Sequence, residues 1–226
     1  MFFIALLFLP LTSMTIAQEN QTLDLEKDDC LWLHRWSSPI SFGDYDYIMD
    51  PQCPAKLGYM DTQEVTLSPS QIVYWYSPPL KKDTTISPII GDKGPWVVFI
   101  FYRLEGSSTS VKCKAGWIDS SNVVHSIPRI NEKTLTLTQK RGFICLLWIT
   151  EGEISLPAGS RLTLYVKNDG PSEVTLLYDS IYKPSCFMLP KANPSIPPIP
   201  EPTLISILVP LIGVGAVLYI WKRELV

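Results

Sequence analysis

Between Val65 and Leu189, apolar and polar positions alternate in short runs, the pattern of β-strands. In Ser110–Trp117, Val111, Cys113, Ala115 and Trp117 fall on one side, with Lys112 and Lys114 on the other. Arg161–Asn168 alternates likewise, with Leu162, Leu164 and Val166 in one set. Such strands have one wet face, as in antiparallel sheets. Further strands are predicted at Gln71–Tyr76, Trp96–Tyr102, Asn122–Ile127, Lys133–Thr138, Phe143–Thr150, Glu173–Tyr178 and Cys186–Leu189. Turn residues such as Gly91-Asp92-Lys93-Gly94, Asp119-Ser120-Ser121-Asn122 and Asn168-Asp169-Gly170 separate them. This spacing predicts an all-β chain with a single antiparallel β-sandwich over residues 30–190. Trp96–Tyr102 and Ile144–Ile149 are apolar on both sides, so they are expected to be central strands, covered on both faces by the chain or by a partner. No amphipathic helix of useful length is expected outside the two ends.

Both ends read differently. Met1–Ala17 carries the apolar run Phe2–Leu11, too short to span a bilayer, with Thr15 and Ala17 at the small-residue positions of a signal-peptide cut. A polar arm, 18–29, follows, and its Asn20-Gln21-Thr22 fits the N-glycosylation pattern, which makes this a glycoprotein candidate. At the other end Leu204–Trp221 is uncharged and would form about 27 Å of helix. Tyr219 and Trp221 stand where an interfacial aromatic belt belongs, and Lys222 and Arg223 place the tail inside. The expected order is signal peptide 1–17, arm 18–29, sandwich ectodomain 30–190, Pro-rich stalk 191–202, transmembrane helix 203–221 and cytoplasmic tail 222–226. A stiff stalk would hold the domain about 20–30 Å off the membrane.

Composition narrows the function. Charged residues are 18%, aromatics 11% with seven Trp, and the net charge is −3. Such a chain has ample core material and is not disordered. Lys and Arg are scattered rather than clustered, so nucleic acid is not an expected partner.

Little catalytic chemistry is visible. His34 and His125 are the two histidines, and no serine lies in a G-x-S-x-G elbow, so both read as structural and no catalytic residue is assigned. The five cysteines would all lie outside the cell. Cys30 and Cys53 are the first candidates for a disulfide, worth about 3 kcal/mol in the chain-entropy picture. Cys113 and Cys145 either pair across the sandwich or stay as buried thiols, which leaves Cys186 odd. Asp44, Asp46 and Asp50 resemble part of a calcium loop, but Ala55 stands at the position where an EF-hand needs Glu. A looser structural calcium site is the one cofactor they suggest. Tyr74, Trp75 and Tyr76 alternate between faces, and an exposed pair could stack on sugar rings, as could Trp32 and Trp36; otherwise these rings fill the core.

Two resemblances add expectations. Pro200-Glu201-Pro202, an apolar helix and then Lys222-Arg223 resemble the PEP-CTERM sorting signal and its archaeal PEF-CTERM cousin. That likeness implies a sorting enzyme of exosortase or archaeosortase type, which removes the helix and passes the product to the cell surface. A permanent type I anchor is the alternative. In the middle, Leu31-Trp32-Leu33-His34, Met60-Asp61-Thr62, Trp75–Leu80, Pro157–Leu162 and Leu177-Tyr178-Asp179-Ser180 resemble secreted β-sandwich surface proteins of archaea and bacteria. This implies a jelly-roll-like sandwich, comparable to galactose-binding-like accessory domains. The expected function is an exported, envelope-anchored, non-catalytic binding or structural domain contacting glycan, S-layer or envelope proteins. A tethered secreted hydrolase and an adhesion or receptor ectodomain are the alternatives.

Overall fold

The computed structural model describes residues 22–25, 27–28, 30–86, 95–127, 131–148 and 154–190. The strands are β1 (Cys30–Ser37), β2 (Tyr45–Asp50), β3 (Gln63–Leu67), β4 (Ile72–Tyr76), β5 (Thr84–Ile86), β6 (Trp96–Leu104), β7 (Thr109–Ile118), β8 (Val124–Ser126), β9 (Lys133–Leu137), β10 (Arg141–Trp148), β11 (Ile154–Leu156), β12 (Arg161–Asn168), β13 (Val174–Tyr178) and β14 (Cys186–Met188). A one-turn helix, α1 (Pro54–Leu57), follows β2. The described chain is therefore all-β, and every strand expected from alternation is present, its bounds moved by a residue or two.

A twelve-stranded sheet runs β3-β13-β6-β14-β1-β2-β4-β12-β7-β8, with β10 beside β6 and β9 beside β7. The sheet folds over, so that its two halves enclose one core. Trp75 of β4 meets Tyr178 of β13 edge to face, centroids 5.4 Å apart. Trp96, Trp148 and Phe187 are also fully buried, and rings of this size supply much of the apolar area such a core removes from water. Inner residues follow the expected alternation: Val111, Cys113 and Ala115 of β7 and Leu162, Leu164 and Val166 of β12 are buried.

Three expectations change. Residues 30–50, placed in the sandwich from sequence but assigned no strand there, form β1 and β2 in the middle of the sheet. β1 is buried on both faces over Cys30–His34, so it shows no alternation. The sheet is not wholly antiparallel, because β2 and β4 pair in parallel. Such pairing requires a crossover, and α1 and β3 lie in the connection. Finally, β10 is at an edge, and the outer side of the β6–β10 pair is partly open, Leu147 being 43% exposed.

The expected signal peptide, Asn20, the expected stalk, the apolar C-terminal run and the residues of the expected sorting signal, Pro200, Glu201, Pro202, Lys222 and Arg223, lie outside the described residues. Among the described residues no helix is long and apolar enough to cross a membrane.

Candidate functional site

β1 divides its side chains between two environments. Leu31 and Leu33 enter the core, while Cys30, Trp32, His34 and Trp36 alternate with them and line the outer face. Its register with β2 shifts between Leu33 and Ser37, a bulge that takes His34–Trp36 out of regular pairing. Bulges re-aim side chains in this way beside functional sites.

Two turns cover this stretch. Pro54 opens α1 and Gly58 closes it at φ 70, a left-handed conformation that glycine adopts without strain. The Gly58 and Tyr59 amides bond back to the Ala55 and Pro54 carbonyls, so the chain reverses. Tyr59 then meets Trp36 edge-on, centroids 6.3 Å apart at 84°. From the other side β13 ends, and Asp179 turns the chain at φ 59, an uncommon conformation that Asp tolerates better than most residues. The two turns are tied together by the Ile181 amide donating to the Tyr59 carbonyl at 3.1 Å and by Thr62 Oγ1 and Ser180 Oγ at 3.0 Å.

His34 lies between them, fully buried. Its Nδ1 is 2.6 Å from Asp179 Oδ1, and its Nε2 is 3.2 Å from Asp50 Oδ1 and 3.1 Å from the Gln52 carbonyl. Burial opposes a charge on His34, but the bonds to Asp179 and Asp50 outweigh it and lift the imidazole to about 9. At neutral pH both nitrogens therefore carry protons and both donate. The other Asp179 oxygen accepts the Arg35 amide at 3.2 Å. Trp36 stacks on the imidazolium, centroids 4.4 Å apart and 12° from parallel, and a cation suits an aromatic face.

Above this set lies an open cleft of about 560 Å³, lined by Arg35, Trp36, Tyr59, Met60, Asp61 and Gln63, with Gly58 and Asp179. It offers a half-buried indole braced from below, a phenol, and planar polar groups at the rim. Arg35 Nη1 donates to Gln63 Oε1 at 3.4 Å. Burial, then the charges of Asp179 and Asp50, raise the Tyr59 phenol above its usual range, so it stays protonated and able to donate. His34 has no free nitrogen to accept a proton, and the Ser180 hydroxyl is engaged by Thr62 and by the Lys183 amide.

The sequence candidates are scattered. Of the five aromatics, Trp36 lines the cleft. Trp75 is in the core, and Trp32 packs with Cys30 and Cys186. Tyr74 stacks on Tyr76 at 5.7 Å, but Tyr76 is only 1% exposed and donates to Asp46 at 2.6 Å, so this pair is no open platform.

The three aspartates do not converge as a calcium loop would require. Asp44 accepts the Ile72 amide, Asp46 closes its own loop through Ser41, Phe42 and Gly43, and Asp50 serves His34 and Gln52. Among the described residues no His, Cys, Asp and Glu cluster is arranged to hold a metal ion.

No disulfide joins the cysteines, all five of which are described, so the expected Cys30–Cys53 bridge is not formed. Cys113 faces the core, and burial pushes its thiol up to about 12, whereas Cys145 is exposed on the outer face of β10; a Cys113–Cys145 bridge is therefore ruled out. Cys53 packs against the cluster of Cys30, Trp32 and Cys186. His125, at 2.7 Å from Asp119 and stacked on Trp117, forms a separate pair at the end of β7.

His34, Tyr59, Arg35, Gln63 and Asp179 were not signalled as a site by any local motif. The segments Leu31–His34, Met60–Thr62 and Leu177–Ser180, which carry the sandwich-protein resemblance, do meet here.

No known protein family matches the chain, and no curated protein does. Among solved structures, a CocE/NonD family hydrolase of Staphylococcus aureus superposes with a TM-score of 0.52 at 8% identity, covering 73% of this chain and 36% of the hydrolase. An alpha-amino acid ester hydrolase gives 0.45 at 13% identity, covering 72% of this chain and 36% of its own. At such identity the first likeness is one of fold alone, and this chain spans about a third of that hydrolase's length.

Proposed function

We propose that this protein is a non-catalytic binding domain, displayed on the outside of a cell, whose jelly-roll-like sandwich holds a saccharide ring in the Trp36–Tyr59 cleft. The observation that carries this reading is the bracing of Trp36. A buried imidazolium, fixed by two carboxylates, supports one face of the indole while the ring edge stays at a cleft. Sites for small polar rings combine a rigid aromatic with a few convergent polar groups, and Arg35, Asp61 and Gln63 supply the latter. Because the platform is held before ligand arrives, binding loses little side-chain freedom.

Display rests on the sequence: the apolar leader Met1–Ala17, the uncharged run Leu204–Trp221 and the basic pair Lys222-Arg223. Sorting at Pro200-Glu201-Pro202 by an exosortase- or archaeosortase-type enzyme, with S-layer or other envelope glycans as the ligand source, completes the proposal. The hydrolase alternative finds no free base beside a nucleophile at this cleft.

The test is a glycan array probed with the full chain and with Trp36→Ala. Retention of a saccharide set by the wild type, lost in the variant, supports the reading. Equal signals from both proteins, or ester hydrolysis that depends on His34, would sink it.

A further inference from the structure

The edge strand β10 departs from how natural sheets protect their edges. Its run Gly142-Phe143-Ile144-Cys145-Leu146-Leu147-Trp148 contains no charge and no proline. Natural edges are blunted with such residues, because an exposed strand edge templates pairing with another chain. β6 is its one strand partner among the described residues. Phe143, Cys145 and Leu147 stand opposite Phe101, Phe99 and Val97 on the outer side of the sheet. Cys145 and Leu147 are exposed, and the facing residues are only partly covered.

We propose that β10 pairs with β10 of a second copy, antiparallel about a two-fold axis at Cys145. The run is centred on that residue, and pairing it with itself there overlaps it fully. Phe143 of each copy lies opposite Leu147 of the other, Ile144 opposite Leu146, and Gly142 opposite Trp148. An apolar pair thus meets an apolar pair throughout the outer face, and the interface is isologous, as two-fold dimers require. A lipid surface is a poorer occupant, since hydrocarbon cannot satisfy the amides and carbonyls of a strand edge. Lys133 donates to the Leu147 carbonyl, and a flexible ammonium yields that carbonyl when a strand supplies an amide instead. The arrangement gives the partner that the two-sided apolar pattern of these strands calls for. It is independent of the saccharide cleft, which lies at β1 and α1.

The test uses the full chain in mild detergent with a short bis-maleimide. The expected product is a covalent dimer whose linked peptide joins Cys145 to Cys145. It should vanish in Cys145→Ser and fall several-fold in Leu147→Lys, with both variants keeping the far-ultraviolet spectrum of the wild type. A wild-type chain that stays monomeric overturns the proposal, as does a dimer that persists in Cys145→Ser. A dimer held by the apolar run Leu204–Trp221 instead would keep its yield in Leu147→Lys, and that result also overturns it.

Discussion

His34 and Asp179, 145 residues apart in sequence, meet at 2.6 Å in the interior and fix the floor of the cleft. The contact joins β1 to the turn after β13, two places that share no local pattern. It makes His34 a cation at neutral pH and makes the protein's stability depend on that charge.

The sign follows from linkage. The imidazole is raised from 6.5 to about 9 in the folded chain. Its stabilisation is therefore complete below about pH 6.5 and lost as pH rises through about 9. The shift corresponds to roughly 3 kcal/mol. Thermal melts of the wild type should show a falling midpoint across that window, while His34→Asn should begin lower and stay flatter there. A midpoint that is constant or rises over the same range contradicts the assigned charge.

Asp46 accepts from Ser41 Oγ, from the Phe42 and Gly43 amides and from the Tyr76 hydroxyl. Removing it leaves those donors without their acceptor, so Asp46→Ala should cost about 3 kcal/mol in urea unfolding. Tyr76→Phe, which removes one of the four bonds, should cost about 1 kcal/mol. Calcium should not change the wild-type midpoint relative to chelator. A calcium-dependent rise would restore the loop as a metal site.

Asn168 is a second internal anchor. Its Nδ2 donates to the Leu67 and Ser172 carbonyls at 2.8 Å each, and its Oδ1 accepts from Thr109 Oγ1 and the Gly170 amide. Asn168→Ala should destabilise by about 3 kcal/mol, because both carbonyls and the buried hydroxyl lose a partner together. Equilibrium unfolding checks this, and a loss below about 0.5 kcal/mol would show that the network is dispensable.

Much of the fold was legible because strands with one wet face announce themselves, as β7 and β12 do through Lys112, Lys114 and the buried valines and leucines between them. β1 escaped for the opposite reason. Leu31 and Leu33 face the core while Trp32 and His34 are buried on the other side, so Cys30–His34 has no polar phase to read. β5 and β11 are three residues each, and they and β3 take their register from partners far along the chain. Trp36 could be marked as a candidate platform from its residue type. Its bracing could not, since Asp50 and Asp179 come from separate turns and a histidine's charge is set by what surrounds it. A lone histidine in an aromatic stretch gave a structural reading, which did not show that it underlies a cleft.

The Trp36 platform also predicts a graded response. Trp36→Ala should weaken saccharide binding roughly 30-fold or more, as for an anchoring aromatic worth about 2 kcal/mol, whereas Trp36→Phe should keep part of it. Calorimetric titration measures both. Equal affinities would move the site elsewhere.

The most direct test of the cleft watches the indole itself. The full chain labelled with fluorotryptophan, with the Trp36 resonance assigned by Trp36→Phe, would be titrated with a saccharide retained on the array and followed by fluorine NMR. Binding at the cleft predicts that the Trp36 signal moves in step with occupancy while those of the buried Trp75, Trp96 and Trp148 stay in place. A Trp36 signal that does not move at saturation, or a shift confined to Trp117, would contradict the site.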